Sequence, residues 1–289
     1  MTIKGIVQAI TPPIIYNCIR PFTRRETNFR SPLFDYTKRH ENIIIMGNGP
    51  SLITSLSKYH QLLNTFDIIA VNQYASSIEY EHYRPNVYVL ADPAYFQPQE
   101  ILKKQILKLI DDIRDKTTWD LSFILPDYAS ISHIIKTIKQ NTHISFFPYS
   151  TVNKKNSKDS LFEAWDKNHI APPLNNVLTT ALYIAICFGY KECYLVGAES
   201  DYVEKLCVDQ KTNVLYTKQK HFYNTTLGLE QNQQERVPVG SSLSKELYSL
   251  YKTFSDYELL HNYAEYKGVK VYNASEYSCI DAFDRGPIQ

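Results

Sequence analysis

The sequence predicts an α/β protein built on a doubly wound, mostly parallel sheet. Three observations predict it. Short apolar runs such as Ile43-Ile44-Ile45-Met46 and Ile68-Ile69-Ala70-Val71 read as strands buried on both faces. Segments of helical periodicity alternate with these runs, the pattern of βα units. Polar residues and glycines stand at the carboxyl ends of the strands, where an open α/β sheet binds its ligands.

Residues 1–40 stand apart as an N-terminal extension. Ile3, Ile6, Val7, Ile10, Ile14 and Ile15 form a partly amphipathic pattern broken by Pro12-Pro13. Arg20, Arg24, Arg25 and Arg30 follow, opposed by Glu26 alone. One reading is a peripheral anchor, residues 1–35, on an anionic membrane surface. The other is an extension that packs on its own domain. The domain proper runs from 41 to 289.

Within it the first strand, from Asn42 to Met46, ends at Gly47-Asn48-Gly49-Pro50-Ser51, and Leu52–Leu63 can form a helix. Strands follow at Asp67–Val71, Val87–Leu90, Leu121–Leu125 and His143–Phe147, with a lysine-rich helix over Ile101–Ile113. Thr179–Phe188 reads as a buried helix and Glu192–Val196 as a strand closed by Gly197. Residues 203–240 are polar and irregular, a candidate lid over the crevice. Ser244–Lys267 is a long helix with Gly268 as its C-cap, and Val269–Tyr272 a last strand.

Composition narrows the function classes. The chain has 289 residues, enough for one large core or two small ones. Lys and Arg number 31 against 30 acids, so no charge signature for nucleic acid exists. No run of about 18 apolar residues predicts a membrane span, and the opening residues, without a long apolar stretch or a small-residue cleavage site, predict no secretory leader. The five cysteines, 18, 187, 193, 207 and 279, form no CxxC pair and read as reduced thiols in a cytoplasmic protein. Glycine is scarce, at nine residues, so a pair within three positions marks a backbone requirement.

That pair is Gly47 and Gly49. After a strand and before a helix, it reads as a phosphate cradle whose amides approach an oxyanion. Any tight βα turn can use glycine as well. The third glycine of the dinucleotide fingerprint is replaced by Leu52, and Asn72 stands where an acid would hold an NAD ribose, which argues against a dinucleotide. The Walker Lys-Ser/Thr is also missing. Glu199 and Asp201 suit ribose hydroxyls or a base amino group, or are solvated loop acids. His221, in the candidate lid, suits a general base, though surface histidines are common. The other histidines show no metal spacing, and no Asp-x-Asp follows a strand.

The runs IIIMGNGPSL, VNQY, NNVLTTALYIAICFGYKECYLVGAESDY and KHFY resemble the sialyltransferases of glycosyltransferase family 42. Together with KVYNAS at 270–275 they are also similar to the domain-of-unknown-function-115 proteins, the 6-hydroxymethylpterin diphosphokinase-like group. The resemblance covers about 42–100 and 175–285. It implies a Rossmann-like sheet, a single-domain variant of the GT-A type. It also implies a metal-independent, inverting transfer of a sialic acid, a related nonulosonic acid or Kdo from a CMP-sugar. The acceptor would be a surface polysaccharide, such as capsule or O-antigen, or a lipid-linked oligosaccharide. The site would lie on the inner face of the cytoplasmic membrane, with a second copy of the chain as a candidate partner.

Carried over by motif, Gly47, Asn48 and Gly49 meet the donor's phosphate region, and Asn72 and Asp92 the donor. Thr179 or Thr180 meets the sugar carboxylate and Glu199 the cytidine. Tyr202 and Tyr223 bond the leaving phosphate, and His221 takes the acceptor proton. The family's Arg before its Thr-Ser is replaced by Asn175-Asn176. Two competing functions remain: a pterin pyrophosphokinase using ATP and magnesium, and a non-catalytic nucleotide-binding partner in polysaccharide assembly.

Overall fold

The computed structural model describes residues 36–150, 160–167, 172–217, 235–236 and 241–289. Eight parallel strands form the central sheet: β1 (Asn42–Met46), β2 (Asp67–Val71), β3 (Val87–Val89), β4 (Leu121–Pro126), β5 (Ile144–Tyr149), β6 (Glu192–Val196), β10 (Lys270–Asn273) and β11 (Asp284–Arg285). The order is β11-β10-β6-β1-β2-β3-β4-β5, and every neighbouring pair is parallel. The doubly wound reading is therefore correct.

The chain moves outward from β1 to β5, then returns to lay β6 on the other side of β1. The order reverses between β1 and β6. Such a switch point opens a crevice at the carboxyl ends, because the loops on either side leave in opposite directions.

Strand pleat explains the two apolar layers. Ile44, Met46, Ile68, Ala70, Tyr88 and Phe123 face one core. It is closed by α1 (Leu52–Tyr59), α3 (Lys104–Lys116) and α4 (His133–Ile138). Ile43, Ile45, Ile69, Val71, Cys193 and Leu195 face the other. There α6 (Val177–Cys187) and the 25-residue α8 (Leu243–Lys267) pack with α5 (Leu161–Asp166). All residues from Leu178 to Ile186 of α6 are buried, as its uninterrupted apolar run predicts. Gly268 ends α8 in the left-handed region, at φ 67°. The short α2 (Glu79–Tyr83) lies between β2 and β3.

Two expectations change. Residues 203–217 are not irregular: α7 (Tyr202–Lys205) leads into β7 (Leu206–Val208), which pairs antiparallel with β8 (Leu215–Thr217), and β8 with β9 (Glu235–Arg236). Their polar sequence hid them because this three-stranded sheet has little apolar alternation. The domain also begins before residue 41. Tyr36 stacks on Phe188 with ring centroids 3.9 Å apart, so residues 36–40 pack on their own domain. Residues 1–35, to which the membrane reading applies, lie outside the described residues. No helix among the described residues is long and apolar enough to cross a membrane.

Candidate functional site

At the switch point the turn after β1 meets the turn after β6. Gly47 N donates to Val196 O at 2.8 Å, and Gly49 N to Gly197 O at 2.9 Å. The loops thus keep pairing beyond the strands. Such closeness leaves no room for side chains. A Cβ on Gly47 would stand 2.2 Å from Gly197 O, and one on Gly49 only 1.3 Å from Glu199 Oε2. Gly197 itself sits at φ +59°, where L side chains are strained.

The space left at Gly49 is filled by the Glu199 carboxylate. This side chain is 5% exposed, and its Oε1 accepts from Ser51 N at 2.7 Å. It therefore takes the place at the start of α1 that an anion would occupy. The amides of Gly47, Gly49 and Ser51 are spent inside the protein, and Pro50 has none. The phosphate cradle expected here is thus corrected: the glycines permit two loops to touch, with Glu199 as the resident anion.

Two asparagines complete this wall. Asn48 Nδ2 donates to Val71 O at 3.0 Å. Asn72 lies at φ 50°, a conformation asparagine tolerates better than most residues. Its carbonyl accepts from the buried Tyr88 hydroxyl, which also accepts from Ala75 N at 3.0 Å. These bonds fix the backbone and leave side-chain atoms over. Asn48 Oδ1, Ser51 Oγ, Asn72 Oδ1 and Glu199 Oε2 are buried without a hydrogen-bond partner among the described residues. Such atoms are costly to leave unpaired and call for a ligand or water.

The opposite wall is the start of α6 and the turn 198–205. Asn176 caps α6 by accepting from Leu178 N at 2.8 Å. Ser200 is left-handed at φ 49°, a second strained non-glycine residue in the cleft. Lys205 Nζ pairs with Asp201 Oδ1 at 2.6 Å. Burial and the charges of Asp201 and Glu199 push Tyr202 above its ordinary pKa, so its hydroxyl stays a neutral donor. From behind, Ser275 Oγ accepts from Ala198 N, and Cys279 N donates to Glu199 O at 2.8 Å. The cleft is open at its mouth and encloses about 110 Å³.

Of the residues expected from sequence, Gly47, Asn48, Gly49, Asn72, Glu199 and Tyr202 line this one cleft, and Asp201 joins them. Thr179 and Thr180 do not. Both are buried, and their hydroxyls donate to Asn176 O at 2.6 and 3.2 Å, so they fix the cap rather than face a ligand. Asp92 is exposed and caps a short 3-10 turn by accepting from Ala94 N at 2.8 Å. His221 and Tyr223 lie outside the described residues. Sequence reasoning missed Ser51, Asn176, Ser200 and Lys205. The signal for Asn176 was its place before an apolar helix, a capping position. Among the described residues no three His, Cys, Asp or Glu side chains gather to hold a metal.

No protein-family model matches the chain, and no curated protein matches it. Among solved structures it is similar to the MAf glycosyltransferase from Magnetospirillum magneticum AMB-1, at 12% identity and a TM-score of 0.50. The likeness covers 86% of this chain and 34% of that one, so the chain spans about a third of that protein's length. At this identity the likeness concerns the fold: the α/β sheet is a Rossmann-like one of the kind this glycosyltransferase has.

Proposed function

We propose that the chain is a glycosyltransferase that moves a sialic acid, a related nonulosonic acid or Kdo from a CMP-sugar to a glycan or lipid-linked acceptor. The observation that carries this reading is the row of unpartnered acceptor atoms, Asn48 Oδ1, Asn72 Oδ1 and Glu199 Oε2, at the switch point. Acceptors of this kind suit the amino group of cytosine and the hydroxyls of ribose. They would repel a triphosphate set directly against them. The motifs shared with family 42, and the fold shared with a glycosyltransferase, add support.

In this reading the acceptor hydroxyl oxygen bonds to the anomeric carbon as that carbon's bond to the phosphate oxygen breaks. CMP leaves with the electron pair, the proton passes to His221, and the anomeric centre inverts. Tyr202 donates to the departing phosphate, a contact whose loss costs on the order of 100-fold in rate. No step is assigned to a metal. The basic segment within 1–35 would bring the enzyme to an anionic membrane surface bearing the acceptor.

Calorimetry tests the donor. CMP should bind without magnesium. Binding of ATP with magnesium, and not of CMP, would replace this reading with the pterin pyrophosphokinase. Binding of neither would favour a non-catalytic role.

A further inference from the structure

The cleft's charges do not suit a nucleotide unless one of them does more than hold the fold. Among the described residues three charged side chains line it: Glu199, Asp201 and Lys205. Glu199 occupies the start of α1, and the amides of Gly47, Gly49 and Ser51 in the turn after β1 are engaged. The place where an α/β sheet usually holds phosphate is therefore closed to an anion here. A phosphate entering the cleft needs a positive group elsewhere.

We propose that Lys205 is the group that recognises the ligand's phosphate, with Asp201 as its resident counter-ion. The proposal rests on the cleft being a nucleotide site and deepens that reading. Lys205 is the sole cation among the described lining residues. Its side chain is 18% exposed and that of Asp201 16%, so the ammonium is held in place rather than waving in solvent. Asp201 precedes α7 and Lys205 is its last residue, and both line the cleft together with Tyr202, Asn48 and Asn72. A nucleoside bonded to the asparagines and Glu199 would extend its 5′ end toward this wall. Lysine suits the task because its compact ammonium meets phosphate oxygens as a point charge, without the fixed fork of arginine. The phosphate would share the ammonium with Asp201, or replace it, using donors that Lys205 already holds.

The pair makes predictions of opposite sign. Lys205→Met should weaken CMP by about 10- to 100-fold, the size of a lost hydrogen bond to a charged group, and change cytidine by about twofold at most. Asp201→Asn should tighten CMP and leave cytidine unchanged, since it removes the competitor. Lys205→Arg should restore most of the lost CMP affinity. Wild-type CMP affinity should fall with ionic strength more steeply than that of Lys205→Met.

Titration calorimetry of the full chain with cytidine and CMP, uridine and UMP, and adenosine and AMP reads all of these. A Lys205→Met variant that loses nucleoside and nucleotide equally overturns the proposal, as does one that keeps full nucleotide affinity. If a pair other than cytidine and CMP binds and Lys205→Met narrows its gap, the CMP reading falls and Lys205 stands. If wild type binds no nucleotide of the panel, both fall. Should Lys205→Met fail to fold, Asp201→Asn and Lys205→Arg carry the same test.

Discussion

A methyl group on Gly49 would lie 1.3 Å from Glu199 Oε2 and 2.7 Å from the Gly197 carbonyl oxygen. No rotamer of the glycine relieves this, so either the carboxylate or the loop must move. Gly49→Ala should cost about 3 kcal/mol, at the upper end for overpacking. Glu199→Ala should cost less, about 1–2 kcal/mol, because it strands one N–H at Ser51. The double variant removes half of the clash and should be more stable than the sum of the singles predicts. Chemical denaturation of the four proteins measures the coupling; strictly additive losses would show that the two loops do not meet at Glu199. The turn was legible in the sequence because two glycines in a glycine-poor chain mark a special backbone. Its reason was not. Glu199 stands 148 positions from Ser51, and only the crossover from β5 back to β6 makes them neighbours. The same holds for Thr179 and Thr180. The resemblance set one of them against a sugar carboxylate, whereas here each bonds back to Asn176 O within the first turn of α6.

One helix braces the cleft wall formed by the start of α6 and the turn 198–205 at two places, with consecutive residues. On α8, Asp256 accepts from Asn175 N at 2.7 Å and from Asn175 Nδ2 at 2.9 Å, which holds the residue before the α6 cap. Tyr257, fully buried, lies next to the strained Ser200. Burial raises the Asp256 pKa, opposed in part by the Asn175 bonds and the Lys252 charge. A carboxyl raised in the fold binds its proton more tightly there than in the unfolded chain. Its stabilising contribution is then present at low pH and lost as pH rises through the folded-state value. Asp256→Asn cannot titrate. The melting temperature of wild type should therefore gain on that of Asp256→Asn between about pH 7 and about pH 4. A gap that stays constant or shrinks over that range would rule the raised carboxyl out. The long elements were readable: α6 is an unbroken apolar run, α8 extends over 25 residues, and both have recognisable ends. α2, α4 and α5 were not, since five or six residues are under two turns and show no period. The two-residue β11 is recognised by its partner β10 alone.

Across the molecule, the edge opposite the cleft is held by a single buried carboxylate. Asp67, 1% exposed, begins β2, and β2 carries the chain about 17 Å to Asn72 at the cleft. Asp67 Oδ2 accepts from the Tyr190 hydroxyl at 2.5 Å and from Arg39 N at 2.9 Å, with Tyr36 and His40 N at 3.4 Å. A charge taken out of water must be repaid by donors. Three of these four donors come from residues 36–40, which is why the segment belongs to the domain although its sequence has no strand or helix period. Removing it leaves Tyr190 to hold the carboxylate with fewer partners and uncovers Phe188. A chain starting at Asn42 should therefore be less stable than one starting at Tyr36 by about 3 kcal/mol, roughly 6–12 °C in melting temperature. Asp67→Asn should narrow the difference between the two truncations, since a neutral amide loses less when stripped of donors. Nucleotide affinity at temperatures where both are folded should be the same, because the cut lies at the amino ends of the strands and the cleft at their carboxyl ends. Equal melting of the two truncated chains would move the domain boundary to Asn42. Unequal nucleotide affinity would mean that the buried carboxylate sets the register of β2, and with it the position of Asn72.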